Sequence, residues 1–109
     1  MIGLLDKQVI IKQPTEAHVR GQVITTWSTL ATVWAQVLPG TSREAYRAAQ
    51  VEGSIQYLVR IRNRNDVTGK DRLLWNDRLM EILGPPLQVV VQGTRLLELK
   101  CAEVEDVDA

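Results

Sequence analysis

The side chains best able to do chemistry are few and far apart. The chain of 109 residues has one cysteine, Cys101, and one histidine, His18. Cys101 lies in LLELKCAEV, where a small buried hydrophobe in a strand is the ordinary role, well ahead of a nucleophile or metal ligand. His18 sits in TEAHVRG, which reads as a loop between two strands, with no second histidine and no cysteine near it to share a metal or activate a nucleophile. Carboxylates gather only at the acidic end, Glu103, Glu105, Asp106 and Asp108, a solvated or partner-facing arrangement. There is no Gly-rich phosphate loop and no Ser or Cys at a known motif spacing from a histidine. We therefore expect no catalytic residues, no metal ligands, no cofactor and no enzymatic activity.

The arginines are more regular. Arg60 and Arg62 alternate with apolar residues, and Arg64 continues the register, so three guanidinium groups are expected along one side of a strand. Each presents a planar fork of donors suited to carboxylates or phosphates. Without interleaved aromatics the ridge lacks the stacking platform of a single-strand nucleic-acid binder, which favours acidic protein surfaces or plain solvation. Arg43 and Arg47 stand four apart, on one face of an expected helix, where like charges cost about 0.2–0.5 kcal/mol and Glu44 offsets part of it.

The elements that would position these groups are mostly strands. Gln8–Gln13 is β-branched and ends at Pro14; Thr15–Gly21 is polar and turn-like; a second strand begins at Gln22 and runs to Leu38, with Ser28-Thr29 either breaking or bulging it. Pro39-Gly40 stops that strand. Thr41 and Glu44 then have the spacing of a capping box, with Ser42 as a rival N-cap, Arg43–Glu52 is rich in helix formers, and Gly53 closes the helix. Ser54–Asn63 alternates cleanly, with Ile55, Tyr57, Val59 and Ile61 on one face. Asn76-Asp77 joins Arg72–Trp75 to Arg78–Leu83 as a tight hairpin, and Gly93-Thr94 joins Leu87–Gln92 to Arg95–Val104. Of the three tryptophans, Trp27 and Trp34 are placed to share one face of a long strand, and an exposed one would mark an interface.

Length and composition bound the whole. One domain over residues 1–109 is expected, with residues 103–109 a flexible acidic tail. Thirteen basic and thirteen acidic side chains cancel, so no net field draws the chain to nucleic acid or a membrane, and no apolar run approaches the roughly 20 residues that span a bilayer. Asp6 and Lys7 interrupt the apolar start where a secretory signal would continue, so synthesis in the cytoplasm is expected. Six or seven strands with one helix imply an all-β fold, best closed into a small antiparallel barrel that removes exposed edges.

One run carries more. Trp27-x-x-Leu30-Ala31-Thr32-Val33-Trp34-Ala35-Gln36-Val37-x-Pro39-x-x-Ser42-Arg43-Glu44 resembles the head-tail joining, or head closure, proteins of tailed bacteriophages. Leu5–Pro14 resembles that family's opening strand, Val59–Arg64 its central basic strand, and Asp77–Ile82 with Leu97–Cys101 its closing strands; Asn63 departs from the aromatic often found there. The resemblance implies a small β-barrel with a helix-bearing insertion between its second and third strands. It also implies a structural virion protein, typically in a twelve-fold ring beneath the portal or its adaptor, closing the head, docking the tail and passing genomic DNA. Its place would be the virion, after assembly in the cytoplasm of the bacterial host, whether from an active phage or a prophage. A ring needs a heterologous interface, for which Arg43, Tyr46 and Arg47 of the helix segment and Glu105 and Asp106 of the tail are the candidates. Arg60, Arg62 and Arg64 are candidates for the ring lumen or for an acidic partner. The alternatives are a tail terminator, or an OB-like nucleic-acid-binding barrel, against which zero net charge and only 5% aromatic residues weigh.

Overall fold

A computed structural model describes residues 5–40, 43, 47 and 56–104. These contain seven strands: β1 Lys7–Val19, β2 Gln22–Pro39, β3 Tyr57–Arg62, β4 Arg72–Trp75, β5 Arg78–Ile82, β6 Leu87–Val91 and β7 Thr94–Glu103. All pairings are antiparallel, in the order β3-β2-β1-β4-β5-β7-β6, and a further pairing of β3 with β7 closes the sheet on itself. The free edge of β7 is shared along its length: Leu96–Thr94 and their neighbours pair with β6, while Cys101–Glu103 pair with β5. The expected all-β antiparallel architecture is thus present as a single ring-like sheet. Of the expected helix, Arg43 and Arg47 are helical and exposed, and the remainder of Arg43–Glu52 lies outside the described residues, as do Tyr46, Glu105 and Asp106.

Alternation in the sequence decides which side faces in. Val9, Ile11, Ala35, Val59, Ile61, Leu73, Met80, Leu99 and Cys101 point into the closed sheet and are fully buried. Val67, from the loop after β3, joins this core, and that loop is set by Asp71, which accepts from the Thr68 amide at 3.0 Å while the Asp71 amide donates to the Thr68 carbonyl at 3.1 Å. The loop passes so close to the β5–β6 connection that a Cβ on Gly69 would stand 3.1 Å from the Gly84 carbonyl oxygen.

Two-residue turns fix the hairpin registers. Arg20-Gly21, Asn76-Asp77 and Gln92-Gly93 all have positive φ at both positions, between 52° and 79°, as type I′ turns require. Asn76-Asp77 is where the sequence puts it. The β6–β7 turn is one residue earlier than expected, because Val91 pairs with Thr94. The largest correction concerns Pro14–Gly21: the strand does not stop at Pro14, and His18 is not in a loop, for β1 runs on to Val19 and pairs with β2 throughout. Proline is tolerated there because β1 pairs with β4 only over Ile10–Lys12, leaving the Pro14 side of the ribbon as a free edge.

The consequence is a projecting arm. Beyond Lys12 and up to Trp34, β1 and β2 pair only with each other among the described residues, and every residue from Thr15 to Thr26 is exposed. The molecule measures 51 × 26 × 23 Å as a result.

Candidate interaction surfaces

The outward row across β2, β3 and β7 begins with a polar ladder. Gln36 faces Arg60 and Arg60 faces Glu98 in the strand registers. The Arg60 Nε donates to the Glu98 carboxylate at 3.1 Å and its Nη1 to the Gln36 side-chain oxygen at 3.3 Å, with both charged side chains about 85% buried. A cation and an anion at this depth satisfy one another and tie three strands together. Arg60 is therefore occupied inside the fold.

The other two arginines differ from it and from each other. β3 ends at Arg62, so Arg64 leaves the strand register and forms a two-point ion pair with Asp66, at 2.6 and 2.8 Å. Those bonds hold the Asp66 carboxyl below the usual carboxylate range and raise the Arg64 guanidinium further. Arg62 is exposed and has no ion-pair partner among the described residues. The uniform ridge expected from sequence is thus three environments: a ladder, an open cation and a clamped loop.

Trp34 stands beside the open cation. Pairing of Gln8 with Trp34 and of Ala35 with Ile61 puts Trp34 between Gln8 and Arg62 on the outward side, with 54% of its surface exposed. It walls two shallow depressions. One, of about 320 Å³, is lined by Leu5, Asp6, Trp34 and Arg62; the other, of about 280 Å³, by Val33, Trp34, Arg62, Asn63 and Arg64. Asp6 in the first is engaged by the Lys7 ammonium at 3.3 Å.

Trp27 shares that outward side with Trp34, although seven residues separate them. The register slips by one between Ile11 and Lys12, where Ile11 pairs with Ala31 but Lys12 with Thr29, so Leu30 is the extra residue of a bulge that rephases the strand. Ser28 and Thr29 themselves pair regularly with Gln13 and Lys12, so the strand is unbroken there and the bulge falls one residue later, at Leu30. Trp27 is covered by the Arg72 guanidinium, 4.4 Å above its ring, and Trp75 meets Tyr57 edge to face at 6.1 Å. Of the three indoles, Trp34 is the uncovered one.

Further apolar surface lies on the arm and on β6. Val19, Val23 and Ile24 at the arm tip and Leu87 and Val90 on β6 are between 45% and 69% exposed. β6 ends the strand order, so its second edge has no strand partner among the described residues. Sequence reading placed Val19 in a turn and missed the arm as a surface.

The groups with catalytic potential fall apart in space. Cys101 is fully buried in the core, and burial pushes its thiol up to about 12, far from a reactive thiolate. His18 is exposed on the arm. Among the described residues no group of three or more His, Cys, Asp or Glu side chains could hold a metal ion, and no helix is long and apolar enough to cross a membrane.

Comparisons with known proteins agree with this picture. No curated protein matches the chain. Among solved structures, the solution structure of protein SF1141 from Shigella flexneri 2a is similar, with a TM-score of 0.76 and 27% sequence identity over 97% of this chain and 98% of that one. The family model described as phage head completion protein matches residues 1–104, which is nearly the whole chain and includes every strand and the arm, so the chain belongs to the phage head completion protein family.

Proposed function

We propose that this protein closes the DNA-filled head of a tailed phage or prophage by assembling as a ring at the portal vertex, beneath the portal or its adaptor, where it extends the DNA conduit and offers the tail its docking surface. The observation that carries the reading is the family match over residues 1–104. Twelve copies would match the symmetry typical of such connectors. The molecule would act by binding, as a part of the virion, after assembly in the host cytoplasm.

The surfaces suit that role. A cyclic ring requires two different patches per copy, one meeting the other on the neighbour. The arm with its apolar tip and open edges is one such element, and the uncovered Trp34 beside Arg62 is another. Arg43 and Arg47, helical and exposed, would serve an acidic face of the portal side or of a neighbour, together with Tyr46. Arg60 and Arg64, being engaged by Glu98 and Asp66, leave Arg62 as the member of that series most available to a partner or to passing DNA. That occupancy also argues against an OB-like nucleic-acid binder.

Head closure has a functional assay. Heads purified without this protein should lose DNA to added nuclease and fail to join tails, and adding it should restore both. Restored tail joining only when the protein is first incubated with tails would instead assign it to the tail end as a terminator.

A further inference from the structure

We propose that the Trp34–Arg62 groove of one copy receives the acidic segment Glu105–Asp108 of a second copy. The groove has an apolar wall and an open cation: Trp34 is 54% exposed, and Arg62 lacks an ion-pair partner among the described residues. The segment Val104-Glu105-Asp106-Val107-Asp108 has the complementary pattern, two valines with three carboxylates, Val107 being set between Asp106 and Asp108. Val107 would lie on the indole while a neighbouring carboxylate takes the guanidinium fork of Arg62.

Geometry makes the partner another copy. Arg62 pairs with Leu96 near the start of β7, whereas Val104 follows its far end, where the Val104 amide donates to the Leu79 carbonyl at 2.8 Å. Leu96 and Val104 are eight residues apart along an extended strand, about 26 Å. Glu105 to Asp108 lie within four residues of Val104 and reach about 14 Å at most. They fall short of their own groove. The basic group near the segment's origin in the same chain, Arg78, already donates to the Tyr57 hydroxyl at 2.6 Å. Donor segment and acceptor groove at opposite ends of β7 are the two unlike patches that head-to-tail association uses.

The acidic segment lies beyond the family-matched residues 1–104. The inference rests on the ring reading for its biological setting. Within a ring the contact is effectively intramolecular, so even a weak one would be occupied at the millimolar effective concentrations of short linkages.

The test does not need a ring. An acetylated peptide of residues 104–109 is titrated into the dilute, isotope-labelled full chain and followed by NMR. Saturable shifts should centre on the Trp34 indole N–H, the Arg62 side chain and residues 33–35. Arg62→Glu and Trp34→Ser, both exposed and both checked for a native spectrum, should each weaken binding about tenfold or more, and a peptide with Gln and Asn for its acids should not bind. Absence of saturable shifts in the groove at millimolar peptide, shifts centred on Arg78 instead, or unchanged affinity in Arg62→Glu would overturn the inference. Uptake of the full chain by heads is scored separately, so loss of peptide binding with normal uptake removes the inference alone, and binding without uptake removes the ring reading.

Discussion

At the scale of single residues, three arginines of one repeating pattern have three different physical fates. Arg60 is a strut: removing it leaves Glu98 partly buried without its cation, and Arg60→Ala should cost about 1–3 kcal/mol in denaturant unfolding. Glu98→Ala should cost a similar amount, with the double variant less destabilised than the sum. Arg62→Ala, on open surface, should stay within about 0.5 kcal/mol of the parent. Equal effects at 60 and 62 would contradict the distinction. Arg64 and Asp66 give a pH signature. The Asp66 pKa is lowered on folding by the Arg64 hydrogen bonds, so its contribution is present above the ordinary aspartate range and lost as pH falls through the lowered value. Unfolding measured between about pH 5 and pH 2 should therefore show a shallower acid loss in Asp66→Asn than in the parent. Sequence alone found all three arginines but not their partners. Glu98 is 38 positions from Arg60, and only the β3–β7 closure brings them opposite one another. The alternation that suggested a continuous ridge holds while a strand holds, and β3 stops at Arg62.

At the scale of elements, the closed sheet was legible and the arm was not, for one reason. Val59 and Ile61 alternate with Arg60 and Arg62 because one side of β3 is core, although Leu58 on the other side is buried as well, and that period survives in the sequence. The arm has no core side. Thr15, Glu16, His18 and Arg20 have nothing buried to alternate with, and Pro14 reads as a stop although it sits on an open edge. Leu30 hides the rest, since one extra residue in β2 swaps inward for outward along the strand. The turns divide similarly: Asn76-Asp77 announces itself, while Gln92 at positive φ does not, which displaced the expected turn by one residue. A two-stranded ribbon without a hydrophobic face is marginal by itself and is held here by its root in the sheet and by the Arg20-Gly21 turn. Amide hydrogen exchange should accordingly be fast from Thr15 to Thr26 and slowest in β3 and the middle of β7, where Val59, Ile61, Leu97 and Leu99 are buried on the core side. Protection of the arm equal to that of β3 in the isolated protein would mean that the arm is already paired with something, as in a preformed oligomer.

At the scale of the whole molecule, a closed sheet with a projecting ribbon, an uncovered tryptophan and no clustered chemistry among its described residues is built for contact with other surfaces. Membership in the phage head completion family sets where those contacts would be made. The family was readable in the sequence because its strands follow in order, from Leu5–Pro14 through the Trp27–Glu44 run to Leu97–Cys101, even though no single stretch is distinctive. The details of assembly were not, because they belong to neighbours. The most direct test is electron microscopy of tail-less phage heads mixed with the purified protein. Head closure predicts new ring density at the portal vertex, reduced or lost when Arg43 and Arg47 are both changed to Glu in a variant that keeps its native spectrum. Vertices that remain bare, while isolated tails take up the protein at their upper end, would contradict it.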